Sequence, residues 1–217
     1  MATRQVLAEL AATFETQSGL AVRIESVGGV DAAKRVRAGE SFDVVVLASN
    51  VIDALIAEGH LHGGRVDLVT SAIGIGVRAG CARPDIGSAD AVKRAVLAAG
   101  RIGYSTGPSG TYLSKLFDQW GIAEAVKDKI VVAPPGVPVT SLVARGEIDL
   151  GFQQLSELAA EGVDVVGSLP ADIQSLTTFS GGVARTSPQP ETAQQLLEFL
   201  ASPGLAGIKR RHLMDVP

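Results

Sequence analysis

Two stretches of the chain carry apolar residues at the spacing of an amphipathic helix. Near the start, one helical face collects Val6, Leu7, Leu10, Ala11 and Phe14. In the second half, another collects Leu113, Leu116, Phe117 and Trp120. The short apolar runs 44–47 and 148–152 instead have the pattern of strands that a parallel sheet buries on both faces. Strands that alternate with helices in this way predict an α/β architecture in each half of the chain.

The two halves of the sequence repeat each other. GVDAAKRVRAGE at 29–40 and GVPVTSLVARGE at 136–147 match at both ends without a gap, at a constant offset of 107 (136 − 29). In each half an apolar run, polar residues and a helical stretch closed by Glu-Gly then follow. Chance similarity between two ordinary strand–helix units is the alternative. The shared order of elements favours a pseudo-repeat.

Two strand-like runs, at 66–78 and 175–184, lead from the first half to the second and back. We therefore predict two similar lobes joined by two crossing strands, with a ligand cleft between them. Lobe 1 would comprise residues 1–73 plus 179–217, and lobe 2 residues 74–178. The strand at 101–105 that leads into the second-half helix has no counterpart after Met1. We expect that first strand either to precede Met1 or to be lacking.

The loop that follows this strand reads GYSTGPSGTYLSKL over 103–116 and leads directly into a helix. The N-terminus of a helix presents unpaired N–H groups and a partial positive charge, which suit an anion. The alternative is a helix capped by Ser109 or Thr111 that binds no ligand. A nucleotide phosphate is disfavoured, because the spacing of a Walker A loop is not present.

The repeat extends the anion hypothesis to both halves. The loops at Thr3, 28–29 and 48–49 correspond to those at 106–111, 136–138 and 153–154. All should lie where open α/β sheets bind ligands, at the carboxyl ends of their strands. We expect two sets of helix N-termini to hold a small anion.

Composition narrows the function further. Of the 217 residues, 46% are hydrophobic and 19% charged, the net charge is −4, and no basic patch for nucleic acid appears. No apolar run is long enough to span a membrane. The single cysteine and three histidines argue against a disulfide or a metal site, and we expect no cofactor. The chain as written shows no signal peptide, which predicts a cytoplasmic location, whereas full-length relatives would be periplasmic.

Several other patterns are interpreted as structural. GIGVRA at 74–79 fits a dinucleotide-binding string but lies within a strand-like run that no helix follows. Asp43 and Asp149 occupy equivalent positions at strand starts, which indicates a turn or capping role. His60 and His62 lie in a polar turn, and Cys81 is expected to have no function. No catalytic residue can be assigned.

From end to end the chain resembles type II periplasmic solute-binding proteins of the molybdate-binding (ModA-like) group. The resemblance rests on GESFDVVVLAS at 39–49, YSTGPSGTYLSKL at 104–116 and LVARGEIDLGFQQ at 142–154. It implies an anion held by hydroxyl and backbone N–H groups of both lobes, and possible transfer to the membrane subunits of an ABC transporter. The ligand-binding residues that match by position are Thr3, Gly29, Val30, Ala48, Ser109, Gly110, Gly136, Val137 and Gln154. The loop argument given above adds Ser49, Thr106 and Thr111.

Two departures from the molybdate-binding pattern bear on the ligand. Gly29 and Val30 stand where molybdate-binding proteins usually place a serine pair, and Gln154 stands where they usually place a tyrosine. An amide both donates and accepts hydrogen bonds, which suits a larger carboxylate ligand better than a tetrahedral oxyanion. Molybdate is therefore one candidate beside di- and tricarboxylates.

The chain is also similar to one branch of this family, the bacterial aconitate isomerases. The similarity lies in the stretches MATRQVLAEL at 1–10 and ESVGGVDAAKRVRAGESFDVVVLA at 25–48. That similarity implies interconversion of cis- and trans-aconitate by an allylic proton shift, which needs a base, an acid and groups that hold carboxylates. Arg4, Lys34 and Arg78 are the cations considered for that role. The first hypothesis is an anion-binding transport component and the alternative is a cofactor-free isomerase; a cytoplasmic ligand sensor is a third.

Overall fold

The computed structural model describes residues 2–134 and 136–217. Helices α1 to α10 span Arg4–Ser18, Gly29–Arg37, Ser49–Ala57, Ala89–Ala98, Pro108–Gln119, Ala123–Val126, Val139–Ala144, Leu155–Leu158, Pro190–Ala201 and Ala206–Arg211. Strands β1 to β8 span Val44–Ala48, Leu61–Ser71, Ile73–Arg78, Ile102–Tyr104, Ile130–Val132, Leu150–Gln154, Val163–Ser168 and Thr177–Ala184. Short 3₁₀ turns cover Lys127–Lys129, Ala171–Ile173 and Pro203–Leu205.

The chain divides into two compact units. Unit 1 consists of Met1–Ser71 and Thr177–Pro217, and unit 2 consists of Ala72–Leu176. The sequence placed these junctions after residues 73 and 178, two residues later in each case. The chain enters unit 2 where β2 ends and returns to unit 1 where β8 begins.

The repeated segments form the same turn in both units. Gly39 and Gly146, which are 107 residues apart (146 − 39), adopt φ angles of 77° and 70°. The N–H of Gly39 donates to the carbonyl of Val36 at 3.0 Å, and that of Gly146 to Val143 at 2.9 Å. A positive φ is strained for residues with a Cβ, so glycine ends both α2 and α7.

In unit 1 the sheet has the order β1-β8-β2, and both pairings are antiparallel. The first-half strand was expected in a parallel arrangement, and this expectation is wrong for the described residues. The returning strand β8 lies beside β1 and fixes the antiparallel direction. Helix α1 packs its predicted apolar face, from Val6 to Phe14, into the core of this unit, where the Phe14 and Phe199 rings meet edge to face at 5.2 Å.

In unit 2 the sheet has the order β5-β4-β6-β3-β7. Strand β4 pairs in parallel with β5 and β6, whereas β3 pairs antiparallel with β6 and β7. The predicted strand at 148–152 is shifted to Leu150–Gln154, and the run at 66–78 divides at Ala72 into β2 and β3. Phe117 of α5 and Phe152 of β6 are fully buried in the core, with ring centroids 6.5 Å apart.

The equivalent aspartates are structural, as expected. The Asp149 carboxylate accepts the N–H of Arg101 at 2.8 Å. The Asp43 carboxylate accepts the hydroxyl of Ser187 at 2.6 Å. Each side chain therefore fastens a neighbouring loop to the start of its strand, β6 or β1.

Candidate functional site

Unit 2 brings its predicted anion-binding loops to one edge of its sheet. Because β4, β5 and β6 are parallel, the segments that follow Tyr104, Val132 and Gln154 leave the sheet on the same side. The pairs Tyr104–Val132 and Gly103–Gly151 fix the register of the three strands. The arrangement expected at the carboxyl ends of parallel strands is therefore present in this unit.

The loop after β4 leads into α5 through Gly107. Gly107 is the N-cap, its backbone is extended, and no side chain caps the helix, so the alternative of capping by Ser109 or Thr111 is wrong. Instead, both the N–H and the hydroxyl of Thr111 donate to the carbonyl of Gly107, at 3.1 and 3.2 Å. Since Pro108 has no N–H, the N–H groups of Ser109 and Gly110 are the donors that the first turn leaves without a helical acceptor.

Two more helices of unit 2 begin at this edge. Helix α7 starts after Pro138, and Gly136 just before it has a φ of 80°. Helix α8 starts directly after Gln154, which is only 2% exposed. Thr106, Gly136, Val137 and Gln154 therefore lie on the same side of the sheet as Ser109, Gly110 and Thr111.

Unit 1 brings two of its predicted loops together. Helix α2 begins at Gly29 and helix α3 at Ser49, and their N-cap residues, Gly28 and Ala48, have no polar side chain that could cap the helix. A Cβ on Gly29 would lie 3.6 Å from the Leu47 side chain, so α2 begins beside the carboxyl end of β1. Val30 is 60% exposed at this point, and Ala48 precedes α3.

Thr3 occupies the N-cap position of α1 without a capping hydrogen bond from its side chain. Its carbonyl accepts the N–H of Leu7 at 2.9 Å. Thr3 therefore begins a helix as the repeat predicts.

The first turns of these helices carry three charged side chains, those of Arg4, Asp31 and Glu157. Arg4 is the only lysine or arginine in the first turns of α1, α2, α3, α5, α7 and α8. Within the described part of the chain, Arg4 has no acidic group within 4.0 Å. Lys34 instead lies 3.9 Å from Asp31 of its own helix. A guanidinium without an acidic partner is able to pair with a carboxylate.

Arg78 is not near the predicted loops of its unit. It is the last residue of β3, whereas Ile73 at the other end of that strand pairs with Gln154. Because β3 runs antiparallel to β6, Arg78 lies at the end of the sheet opposite the carboxyl end of β6. Arg78, which was considered because of its place near the crossing strand, therefore lies away from these loops.

Glu157 is a candidate that the sequence analysis missed. It lies in α8, three residues after Gln154, and is half-buried. Burial raises the pKa of its carboxyl group, and a hydrogen bond from the Gln153 side chain acts in the opposite direction. Gln153 itself is 4% exposed, and its Oε1 has no hydrogen-bond partner among residues 2–134 and 136–217. The sequence contained one signal for this candidate, which is that an acidic residue follows the pair Gln153–Gln154 within one helical turn.

Metal-binding clusters and membrane-spanning helices are two further features to consider in the described residues. Within them, no cluster of three or more histidine, cysteine or acidic side chains could hold a metal ion. Among the helices that the structure describes, none has both the length and the apolarity needed to cross a membrane. The groups described at these helix starts are hydrogen-bond donors, the Arg4 guanidinium, and the carboxyl groups of Asp31 and Glu157, of which burial raises the pKa of Glu157.

Comparison with known proteins agrees with this architecture. Residues 1–213 match the family described as bacterial extracellular solute-binding protein. A Pseudomonas sp protein named aconitate isomerase is 38% identical over 218 aligned residues, which cover 96% of this chain and 83% of that protein.

Solved structures with the same fold include the periplasmic molybdate-binding protein of Azotobacter vinelandii. It has a TM-score of 0.82 and 20% identity over 99% of this chain and 96% of its own. A periplasmic thiamin-binding protein gives a TM-score of 0.74 and 18% identity over 95% of this chain and 77% of its own. At these identities the likeness concerns the fold, and it confirms the predicted α/β architecture of type II periplasmic binding proteins.

Proposed function

Because the chain belongs to the bacterial extracellular solute-binding protein family, we propose that it binds a small carboxylate anion of the aconitate class. The observation that carries this proposal is the set of uncharged loops at the sheet edge of unit 2. There the N–H groups of Ser109 and Gly110 have no acceptor within helix α5 and can donate to an anion. The relative named aconitate isomerase supports a tricarboxylate as that acceptor.

The side chains at the predicted site favour a carboxylate over molybdate. Val30 is exposed and offers no hydroxyl, and an amide, Gln154, ends β6. Arg4 supplies a guanidinium that can form two parallel hydrogen bonds to one carboxylate.

A thermal-shift series tests the binding proposal. The protein is heated with cis-aconitate, trans-aconitate, citrate, molybdate, tungstate or sulfate. A ligand that binds only the native state adds about 2.7 kcal/mol of stability at 100 times its Kd. We expect the tricarboxylates to raise the midpoint and sulfate to leave it unchanged. If none of the six anions shifts the midpoint, the binding proposal is wrong.

The second candidate function is isomerisation of aconitate, and Glu157 is the observation in its favour. A carboxyl group whose pKa is raised by burial is a stronger base than an ordinary carboxylate and can take and return a proton. In this proposal its carboxylate removes a proton from the methylene carbon of aconitate. That electron pair forms the new double bond, and the electrons of the old double bond move to the carbon at its far end. This carbon then takes the proton back from the Glu157 carboxyl group, which returns to the carboxylate. The net change is an allylic shift without oxidation or reduction.

An isomerisation assay tests this second function. The protein is mixed with one aconitate isomer, and its conversion to the other isomer is measured by ultraviolet absorbance and by separation of the two isomers. Interconversion that scales with protein concentration supports the isomerase. Binding of both isomers without interconversion leaves the binding proposal standing and excludes the isomerase.

We further propose that the protein acts outside the cytoplasm, as the family description states for its members, and passes its ligand to an ABC transporter. Fractionation of cells that express the natural gene tests the location. Recovery of the protein only with cytoplasmic markers would contradict it.

A further inference from the structure

The side chain of Gln174 joins two backbone segments of unit 2. Its Oε1 accepts the N–H of Ile73, the first residue of β3, at 2.8 Å. Its Nε2 donates to the carbonyls of Ile73 and Leu169, at 3.0 and 3.2 Å. The N–H of Leu169 also donates to the carbonyl of Ile73 at 2.9 Å. Ile73 and Leu169 are thus connected once directly and once through the Gln174 amide.

The Gln174 amide takes the place of a backbone hydrogen bond between two strands. Gly74 of β3 pairs antiparallel with Ser168 of β7, so Ile73 stands opposite Leu169. Residues that face each other in a hydrogen-bonded antiparallel pair exchange two N–H···O bonds. Here one of the two is direct, and the other passes through an amide that both accepts and donates. Because Ile73 is 1% exposed, its N–H would be costly to leave unpaired.

Helix α5 holds the turn that leads into Gln174. The hydroxyl of Tyr112 donates to the carbonyl of Ile173, the residue before Gln174, at 2.9 Å. Tyr112 directly follows Thr111, whose N–H and hydroxyl both donate to the carbonyl of Gly107 in the first turn of α5. One chain of hydrogen bonds therefore runs from the start of α5 to the Gln174 amide.

The other end of this chain of hydrogen bonds reaches the end of β6. Ile73, which the Gln174 amide holds, pairs with Gln154, the last residue of β6. The N–H of Leu155, at the start of α8, donates to the carbonyl of Ala72 at 2.8 Å. The backbone of residues 72–73 is thus fixed between the Gln174 amide on one side and the junction of β6 and α8 on the other.

We propose that Gln174 is a positioning residue for the carboxylate site of unit 2. Through Ile173 and Tyr112 it fixes the first turn of α5, and through Ile73 it fixes the end of β6. The donors of these two segments then keep one relative arrangement when the anion is absent, which lowers the cost of binding. Gln174 acts through these contacts and not on the ligand itself. This inference rests on the proposed function, since it concerns the anion held at these segments.

Amide exchange of the ligand-free protein, followed by NMR, tests the contacts of Gln174. Gln174→Met keeps the length of the side chain but removes the amide, and Tyr112→Phe removes only a hydroxyl. Gln119→Met is the matched control, because Gln119 is exposed at the end of α5. We expect the N–H of Ile73 to exchange about tenfold faster in Gln174→Met. The N–H of Thr111 should exchange faster in both variants and be unchanged in the control.

Calorimetric titration with the aconitate isomer that gives the larger thermal shift tests the effect on binding. Gln174→Met and Tyr112→Phe should each raise the Kd about three- to tenfold, and Gln119→Met should leave it unchanged. The double variant with both Gln174→Met and Tyr112→Phe should bind no more weakly than the weaker of the two single variants. Both changes break the same chain of contacts, whereas independent effects on the Kd would multiply.

Three results would overturn the role of Gln174. The first is an unchanged Kd in Gln174→Met despite faster exchange of Ile73, which would make the contact structural only. The second is a double variant in which the two losses of affinity multiply. The third is unchanged exchange of Thr111 in both single variants, which would show that the contacts do not reach the first turn of α5.

The same titrations separate the failure of this inference from the failure of the proposed function. If the unsubstituted protein binds no anion, the proposed function is wrong and the role of Gln174 in binding is wrong with it. If the unsubstituted protein binds aconitate and both single variants bind it equally well, the proposed function stands and only the role of Gln174 is excluded.

Discussion

Gly110 and Ser105 lie in direct backbone contact at the start of α5. A Cβ on Gly110 would come within 1.7 Å of the Ser105 carbonyl oxygen and 2.9 Å of the Tyr104 ring. At position 110, therefore, only the hydrogen atom of a glycine fits between the helix backbone and the segment that follows β4. This contact fixes the direction in which the N–H groups of Ser109 and Gly110 leave the loop.

We predict that Gly110→Ala shifts the loop and destabilises unit 2. Overpacking against rigid backbone costs about 1–3 kcal/mol, and the loss of loop geometry should also weaken binding of the carboxylate. Denaturant unfolding and a ligand titration measure the two effects. Gly207→Ala is the matched control, because a Cβ there meets nothing within 4 Å and the residue lies in helix α10. It should stabilise by roughly 0.5–1 kcal/mol. Similar stability of the two variants would contradict the prediction.

Lys209 of α10 is fully buried, and its Nζ has no hydrogen-bond acceptor among the described residues. Glu9 of α1, which packs on α10, is already bound by Arg211 and, at 2.7 Å, by His212. Burial therefore lowers the pKa of Lys209. Replacement by methionine keeps the apolar stem and removes the unsatisfied amine. We predict that Lys209→Met stabilises unit 1 by about 1–3 kcal/mol.

The sign of the pH dependence follows from the lowered pKa of Lys209. Between the folded and unfolded pKa values the unfolded chain binds more protons, so stability should rise with pH in that window. Below the folded pKa both states carry the proton and this contribution is constant. Denaturation midpoints measured across the alkaline range should rise in the unsubstituted protein and rise less in Lys209→Met. Parallel curves would show that Lys209 is not responsible.

Arg4 should act as the cationic partner of the bound carboxylate. A hydrogen bond to a charged group contributes about 1.5–3 kcal/mol, so Arg4→Gln should weaken tricarboxylate binding roughly ten- to hundredfold. Calorimetric titration with the aconitate isomer that gives the larger thermal shift measures the Kd. Lys34→Gln is the control, since Lys34 already pairs with Asp31. Equal losses in the two variants would point to a general charge effect.

Glu157 should carry the proton if the protein is an isomerase. Glu157→Gln keeps the size and the hydrogen-bonding capacity but cannot take a proton. We predict that the rate falls about 10²- to 10⁴-fold while the Kd for aconitate changes little. The rate of the unsubstituted protein should rise with pH through the raised pKa, because the carboxylate is the reactive form. Glu161→Gln, at an exposed position, is the control. A rate retained in Glu157→Gln excludes this role.

Short-range patterns in the sequence were sufficient for most elements of the fold. The apolar face of α1 was predicted and is present, and the repeated segments 29–40 and 136–147 contain equivalent glycine turns at Gly39 and Gly146. Each depends on residues within about two helical turns of one another. The cap of α5 was not predicted correctly, because the hydroxyl of Thr111 bonds the Gly107 carbonyl instead of capping the helix.

The sequence by itself determined the repeat, the starts of the helices and the loops that follow the strands. Periodicity and glycine positions encode these features locally. Only the tertiary structure decided that β1 pairs antiparallel with β8, that Arg78 lies at the far edge of its sheet, and that Glu157 is half-buried. Direction of pairing and burial depend on partners distant in the chain, β8 being more than a hundred residues from β1. No local pattern records those partners.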